Sequence, residues 1–365
     1  MILRIIGILI LMLMGWSLGY VAMTRVVFRD QRASVSPLYC RLFGKDRALS
    51  KPVIFIPGIK GSLLTQDGTQ KWLTLSQLLF NTEPLLSRKT DATLEGTGIL
   101  TRLSLIPGIL EYAPYQRINA ALACNPKSYF FSYDWRRAPQ ENALLLTALV
   151  ERVRRETGEK PSLVAHSMGG LITHAYLKEH ADTIDKIVYV GVPFQSGVGF
   201  LRDIDEGSPV GLNKTILSKE AIFSHPSSYA LLPHQGQRLY KKSDLLALET
   251  WKKFRLSVFR DGVVDEDLFQ EHLTQAIAFH RVLDTPTSFT NRFLLVLGNC
   301  QPTVKAVEED GSLTMSPGDS RVLETAAYPV EAETMNKEVI FSCAPHDQQL
   351  NDRVIIDQIF RFLRS

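Results

Sequence analysis

Short unbroken apolar runs, each closed by glycine or proline, alternate along this chain with stretches of helical period. Pro52-Val-Ile-Phe-Ile-Pro-Gly-Ile-Lys-Gly61 reads as a buried strand stopped by Pro57 and Gly58. Tyr129-Phe-Phe-Ser-Tyr133 is a second apolar run. A helical pattern follows, with Leu146, Leu149, Val150 and Val153 on one face and Gly158 at its end. Ser162–Ala165 then reads as strand, Met168–His180 as helix, and Lys186–Val190 as strand closed by Gly191 and Pro193. Phe293–Leu297 and Glu338–Ser342 repeat the strand pattern, and a last helix sets Ile355, Ile359, Phe362 and Leu363 on one face. Strands apolar on both sides, interleaved with helices, predict an α/β fold with a mostly parallel sheet covered on both faces.

Two segments break the rhythm. Residues 62–115 and 197–290 lack parallel-strand signals and hold Leu- and aromatic-rich stretches of helical character, such as Asp244–Phe254. They read as excursions from one domain spanning about 50–365, forming a cap over one edge of the sheet. The first 24 residues stand apart. Ile5–Met23 carries no charge, with Arg4 before it and Arg25 and Arg29 after it. A run that long can span a bilayer as an uncleaved signal anchor, with a cleaved signal peptide as the alternative. An anchor led by so short a terminus favours export of the domain, which would be secreted if the segment were removed.

Composition narrows the function classes. A net charge of +3 with no long block of one sign does not make a nucleic-acid surface. Cys40, Cys124, Cys300 and Cys343 show no CxxC spacing, which argues against zinc or redox motifs. They leave two disulfides or buried thiols as open readings.

The chemistry centres on Ser162-Leu-Val-Ala-His-Ser-Met-Gly-Gly-Leu171. Ser167 falls at the corner between strand and helix, with small residues two before and two after it. This is the nucleophile-elbow pattern, with Ala165 in the place of its first glycine. Such an elbow calls for an acid and then a histidine later in the chain. His346, in Cys343-Ala-Pro-His-Asp347, lies in a loop past the last strand, where a base can reach the elbow. His166, beside the serine, cannot easily turn back to serve it. His174 and His180 fall on the following helix, and His225, His234, His272 and His280 in the second excursion. For the acid, Asp319 sits among turn residues in Ser316-Pro-Gly-Asp-Ser-Arg-Val322, with Glu309 and Asp310 as rivals in the same region. Two backbone N–H groups, of Met168 and of Ile59 in the loop after the first buried strand, would form the oxyanion hole. That loop lacks the pattern of a phosphate cradle, and no metal or organic cofactor is called for.

Taken together, the residues resemble the lecithin:cholesterol acyltransferase family, with its phospholipase A2 and phospholipid:diacylglycerol acyltransferase members. The likeness runs through Val53–Leu63, Tyr133-Asp-Trp-Arg136, Ala165-His-Ser-Met-Gly-Gly170, Ser228–Pro233, Gly298–Thr303 and Gly318-Asp-Ser-Arg-Val322, in the family's order. The resemblance implies an α/β-hydrolase fold, selects Asp319 over Asp310, makes the second excursion (197–290) an acyl-binding cap with a lid segment in about 62–115, and implies a glycerolipid acyl ester as substrate. Ser320-Arg321 departs from the Gly-Thr that follows the family's acid, and Val192-Pro-Phe-Gln-Ser196 departs from its small residue, Pro, Trp and paired glycines. A bridge between Cys300 and Cys343 is geometrically possible, since both follow strands that should be adjacent. Asp134 and Arg136 read as a buried ion pair holding a loop. Trp72–Phe80 reads equally as a membrane-touching lid or as cap packing.

The expectation is a serine acylhydrolase or acyltransferase working through Ser167, Asp319 and His346. The alternatives are an esterase or thioesterase for short soluble acyl groups, and a lipid-binding homologue without catalysis.

Overall fold

The computed structural model describes residues 19, 22–44, 47–87, 94–106, 110–195, 197–262 and 264–365. Most of the apolar run Ile5–Met23, on which the anchor expectation rests, lies outside them. No helix among the described residues is long and apolar enough to cross a membrane.

Eight strands form the central sheet: β1 (Val27–Arg29), β2 (Arg32–Ser34), β3 (Val53–Ile56), β4 (Ser128–Phe130), β5 (Ser162–His166), β6 (Lys186–Val190), β7 (Arg292–Gly298) and β8 (Asn336–Ser342). Their spatial order is β1-β2-β4-β3-β5-β6-β7-β8. From β4 to β8 every pairing is parallel, and β1 and β2 add an antiparallel edge. Both faces of the sheet are covered. Ile54, Ile56, Leu163, Ala165 and Ile187 pack toward the helices α2 (Pro139–Thr157) and α3 (Met168–His180). Their neighbours Val53, Phe55, Val164 and Val188 face α1 (Gln116–Ala123) and the final helix. That two-sided burial is why these strands read as unalternated apolar runs. The final helix, Arg353–Arg364, buries Ile355, Ile359, Phe362 and Leu363 as its period predicts, together with Ile356 and Phe360. Each such side chain contributes roughly 1.5–3 kcal/mol on leaving water.

The first excursion differs from its helical expectation. Its regular structure is mainly short antiparallel strands: Ser62–Gln66 between Thr69–Trp72 and Glu95–Ile99, then a hairpin of Leu103–Ile106 with Leu110–Tyr112. Leu75–Leu79 is its short helix, opened by a reciprocal Thr74–Gln77 cap. The excursion's buried leucines, Leu64, Leu73, Leu78, Leu94 and Leu100, reach the core from strand, helix and loop alike. Trp72, Leu73 and Leu78 are buried, while Leu75 and Phe80 are exposed. The second excursion is helical, from Leu201–Glu206 through Leu248–Phe254 to the long helix Glu266–Asp284.

All four cysteines pair, Cys40 with Cys124 and Cys300 with Cys343. The second bridge joins the segment after β7 to the segment after β8, neighbours in the sheet. Asp134 and Arg136 form a buried two-pronged pair, Nε to Oδ1 at 2.8 Å and Nη2 to Oδ2 at 2.6 Å. Arg136 also donates to the Leu86 carbonyl at 2.6 Å.

Candidate active site

β5 ends at His166 and α3 begins at Met168, so Ser167 makes the whole turn. Its backbone is held at φ 53° and ψ −128°, an unfavourable region for a residue with a Cβ, at a cost of about 1–3 kcal/mol. The surroundings enforce it: the Ser167 N–H donates to the Val190 carbonyl at 3.0 Å, and Gly170 N–H donates to Ser167 O at 2.8 Å. The helix can start so close to the sheet because Gly169 has no side chain, since a Cβ there would lie 2.3 Å from the Pro57 carbonyl oxygen.

Ser167, His346 and Asp319 form a continuous chain. Ser167 Oγ lies 2.8 Å from His346 Nε2, and His346 Nδ1 lies 2.7 Å from Asp319 Oδ2. The carboxylate can only accept, so Nδ1 carries the proton and Nε2 is free to accept from the serine hydroxyl. Asp319 Oδ1 accepts from the backbone N–H groups of Arg321 at 3.0 Å and Val322 at 2.7 Å. Burial alone would push this carboxyl up. The neighbouring His346 and these hydrogen bonds outweigh it and hold Asp319 below the usual carboxylate range. His346 N–H also donates to the Asp319 carbonyl at 2.8 Å, so acid and base are tied through main chain as well.

Asp319 reaches this point by an antiparallel hairpin, Gln301–Val307 with Leu313–Gly318, which leaves β7 and returns to it. Gly298, the last residue of β7, admits the acid: a Cβ there would lie 2.3 Å from that of Asp319. The rivals sit at the far end of the hairpin. Glu309 pairs with Lys242 at 2.7 Å, and Asp310 accepts from Ser312 N–H at 2.9 Å, both exposed. Ile59 lies in the loop after β3, lining the same cavity as Ser167, and Met168 is the first residue of α3. The neighbouring Gly58 N–H is already engaged by Tyr115 Oη at 2.9 Å.

Above the serine opens a cavity of about 760 Å³. Trp72, Leu73 and Leu78 of the first excursion and Phe200, Ile204 and Leu231 of the second wall it. A charged cluster lies on the same cavity. Asp203 holds Lys60 at 3.1 Å and Arg321 at 3.2 Å. Burial would raise the Asp203 carboxyl, and the two cations hold it below the usual range. The cation beside the acid is thus directed away from it: Arg321 uses its backbone on Asp319 and its guanidinium on Asp203 and on the Gly199 carbonyl at 3.0 Å.

Of the histidines, His346 alone is within hydrogen-bonding distance of the Ser167 hydroxyl among the described residues, and the rest have other partners. His174 is buried in α3 against Glu331, and His234 stacks on His280. His225 borders the cavity and donates its Nε2–H to the Leu85 carbonyl at 2.6 Å. Sequence reasoning missed Tyr115, which joins Gly58 to His166, and Gln349, 3.4 Å from Asp319 Oδ2. Both contacts span the fold, and no local pattern signals them.

Sheet order, elbow and loop positions are those of the α/β-hydrolase fold. The family model of lecithin:cholesterol acyltransferase matches residues 125–295, in agreement with the resemblance read from the motifs. An uncharacterized protein of Saccharomyces cerevisiae, YJR098C, is 30% identical over 228 residues, covering 57% of this chain and 34% of that protein. The chain therefore spans about a third of the length of the curated relative it matches. Among solved structures, the Tle4–Tli4 complex has a chain with a TM-score of 0.53 at 13% identity, covering 86% of this chain and 98% of its own. The mature Bacillus licheniformis lipase BlEst2 aligns with a TM-score of 0.41 at 12% identity over 86% of this chain and 92% of its own.

Proposed function

We propose that the protein is a serine acylhydrolase or acyltransferase acting on glycerolipid esters. The observation that carries this reading is the buried Ser167–His346–Asp319 chain at the base of a largely apolar cavity. Ser167 Oγ attacks the ester carbonyl while His346 Nε2 takes its proton. The oxyanion forms between the N–H groups of Met168 and Ile59. When the tetrahedral species collapses, His346 returns the proton to the leaving alcohol and the acyl group stays on Ser167. Water or a second alcohol then removes it by the same path, deprotonated in turn by His346. The anionic Asp319 holds His346 in the required tautomer and stabilises its charged form. The cavity volume suits an acyl chain, and its charged end, at Lys60 and Arg321, offers donors to the polar part of a lipid.

The apolar run Ile5–Met23 would act as an anchor, placing the domain near a lipid surface on the exported side. Two disulfides support an oxidising compartment.

The test uses the full chain in mixed micelles and its Ser167→Ala variant, offered phospholipid, triacylglycerol and a short-chain ester, with and without a long-chain alcohol. Mass spectrometry reads the products. Lysophospholipid made only by the intact serine supports the lipid reading, and a new alcohol ester makes the protein a transferase. Cleavage of the short ester alone would replace the lipid substrate by a soluble one. Equal turnover by Ser167→Ala would sink the mechanism.

A further inference from the structure

We propose that Tyr115 and His166 are positioning residues that lock the oxyanion loop to the base through one buried, one-way chain of hydrogen bonds. The inference rests on Ser167 being the nucleophile. It starts from His166 Nε2, 2.9 Å from the carbonyl oxygen of His346. A carbonyl only accepts, so Nε2 must carry a proton and donate it. The neutral ring then has a bare Nδ1, which accepts from the Tyr115 hydroxyl at 2.8 Å. With its proton so directed, Tyr115 Oη accepts from Gly58 N–H at 2.9 Å. Each member has a single arrangement that satisfies it.

The ends of this chain matter. Gly58 is the residue before Ile59, whose amide faces the developing oxyanion in the proposed mechanism. The other end is the backbone of the base itself, and His166 immediately precedes the nucleophile. Three loops, after β3, β5 and β8, are thereby held in one frame. The packing leaves them little freedom. A Cβ on Gly58 would lie 2.9 Å from Ser167 Cβ and 3.3 Å from Tyr115 Oη. The His166 ring sits 4.8 Å from that of His346 and 5.4 Å from that of Tyr115. Tyr115 and His166 are both nearly inaccessible. Burial, helped by the nearby His346, pushes His166 down to about 3, so the ring stays neutral and the chain keeps its direction at physiological pH. Placement errors of about 1 Å can lower a rate by about 100-fold, which makes such a frame worth its buried polar groups.

The experiment compares Tyr115→Phe, His166→Phe and His166→Gln in the full chain. It measures kcat and KM on a soluble ester, the rate at which a p-nitrophenyl phosphonate labels Ser167, and Tm. Tyr115→Phe is expected to lower kcat and the labelling rate together by about 10–100-fold, with KM little changed. His166→Gln carries an acceptor and a donor on one side chain, and it is expected to recover much of what His166→Phe loses. A purely structural role would lower Tm and leave the kcat and labelling rate of the folded enzyme unchanged, which overturns the proposal. His166→Gln performing no better than a folded His166→Phe overturns it too. Should His166→Phe fail to fold, Tyr115→Phe decides alone. Failure of the wild type to label would remove the nucleophile reading and the relay with it, whereas equal labelling by wild type and Tyr115→Phe removes the relay only.

Discussion

Gly191 offers a sharp test of how tightly the acid and base are seated. It follows β6 with φ +55°, and its N–H donates to the Val296 carbonyl at 3.0 Å. A Cβ at this position would stand 2.7 Å from Gln349 Oε1, 3.0 Å from Asp319 Oδ2 and 3.2 Å from His346 Nδ1. Carbon–oxygen contacts of this kind settle near 3.3–3.6 Å, so in Gly191→Ala the carboxylate must retreat by roughly 0.3–0.6 Å. The positive φ adds roughly 1–2 kcal/mol of backbone strain. The 2.7 Å bond from His346 to Asp319 is what gives way. We expect kcat to fall by about 10–100-fold and stability by about 1–3 kcal/mol. Gly158→Ala is the matched control. Its φ is +72°, at the end of α2, and nothing lies within 4 Å of its Cβ position. It should show the strain in thermal unfolding and keep its kcat. The assay is p-nitrophenyl butyrate hydrolysis by the full chain below both unfolding transitions. If Gly191→Ala matches Gly158→Ala in kcat, the seating argument is wrong.

Two further predictions concern buried charge. Arg136→Met should destabilise the protein by about 3–5 kcal/mol in urea unfolding, because it leaves Asp134 buried without its partner, and adding Asp134→Leu should recover much of the loss. A single variant no worse than the double would count against it. Glu331 is buried against His174 at 3.2 Å and bonded to Lys178 and to Thr287 N–H at 3.1 Å. Burial would raise its carboxyl, but His174 and Lys178 outweigh that and hold it at about 2, against an ordinary 4.5. A depressed acid stabilises the fold above its unfolded value and loses that contribution as pH falls toward the folded one. Stability of the wild type should therefore drop between about pH 4.5 and about pH 2 more steeply than that of Glu331→Gln. Parallel unfolding curves across that window would refute the assignment.

Much of this protein is legible in the chain itself. β3 through β8 and helices α2, α3 and the last one announce themselves, because two-sided burial and helical period are local patterns. Ser167 is visible for the same reason, since the elbow packs strand, corner and helix into ten residues. The position of His346 past the last strand follows from the order of elements. What the chain alone leaves open depends on distant register. β1 and β2 are three residues each, with one partly buried side chain apiece, and exist because they pair at the sheet edge. The leucines of residues 62–115 suggest helix, but tertiary pairing sets Leu63, Leu64, Leu103 and Leu110 in short antiparallel strands and leaves only Leu75, Leu78 and Leu79 in a described helix. Residues alone left Glu309, Asp310 and Asp319 as competing acids. The return of the hairpin to β7 leaves the first two at its tip and sets Asp319 against His346. Nor does any local pattern announce that Tyr115 reaches His166, or that Asp203 turns Arg321 away from the acid. Periodicity is written within a few neighbours, whereas a hydrogen bond across the fold exists only once the backbone has brought both partners within 3 Å.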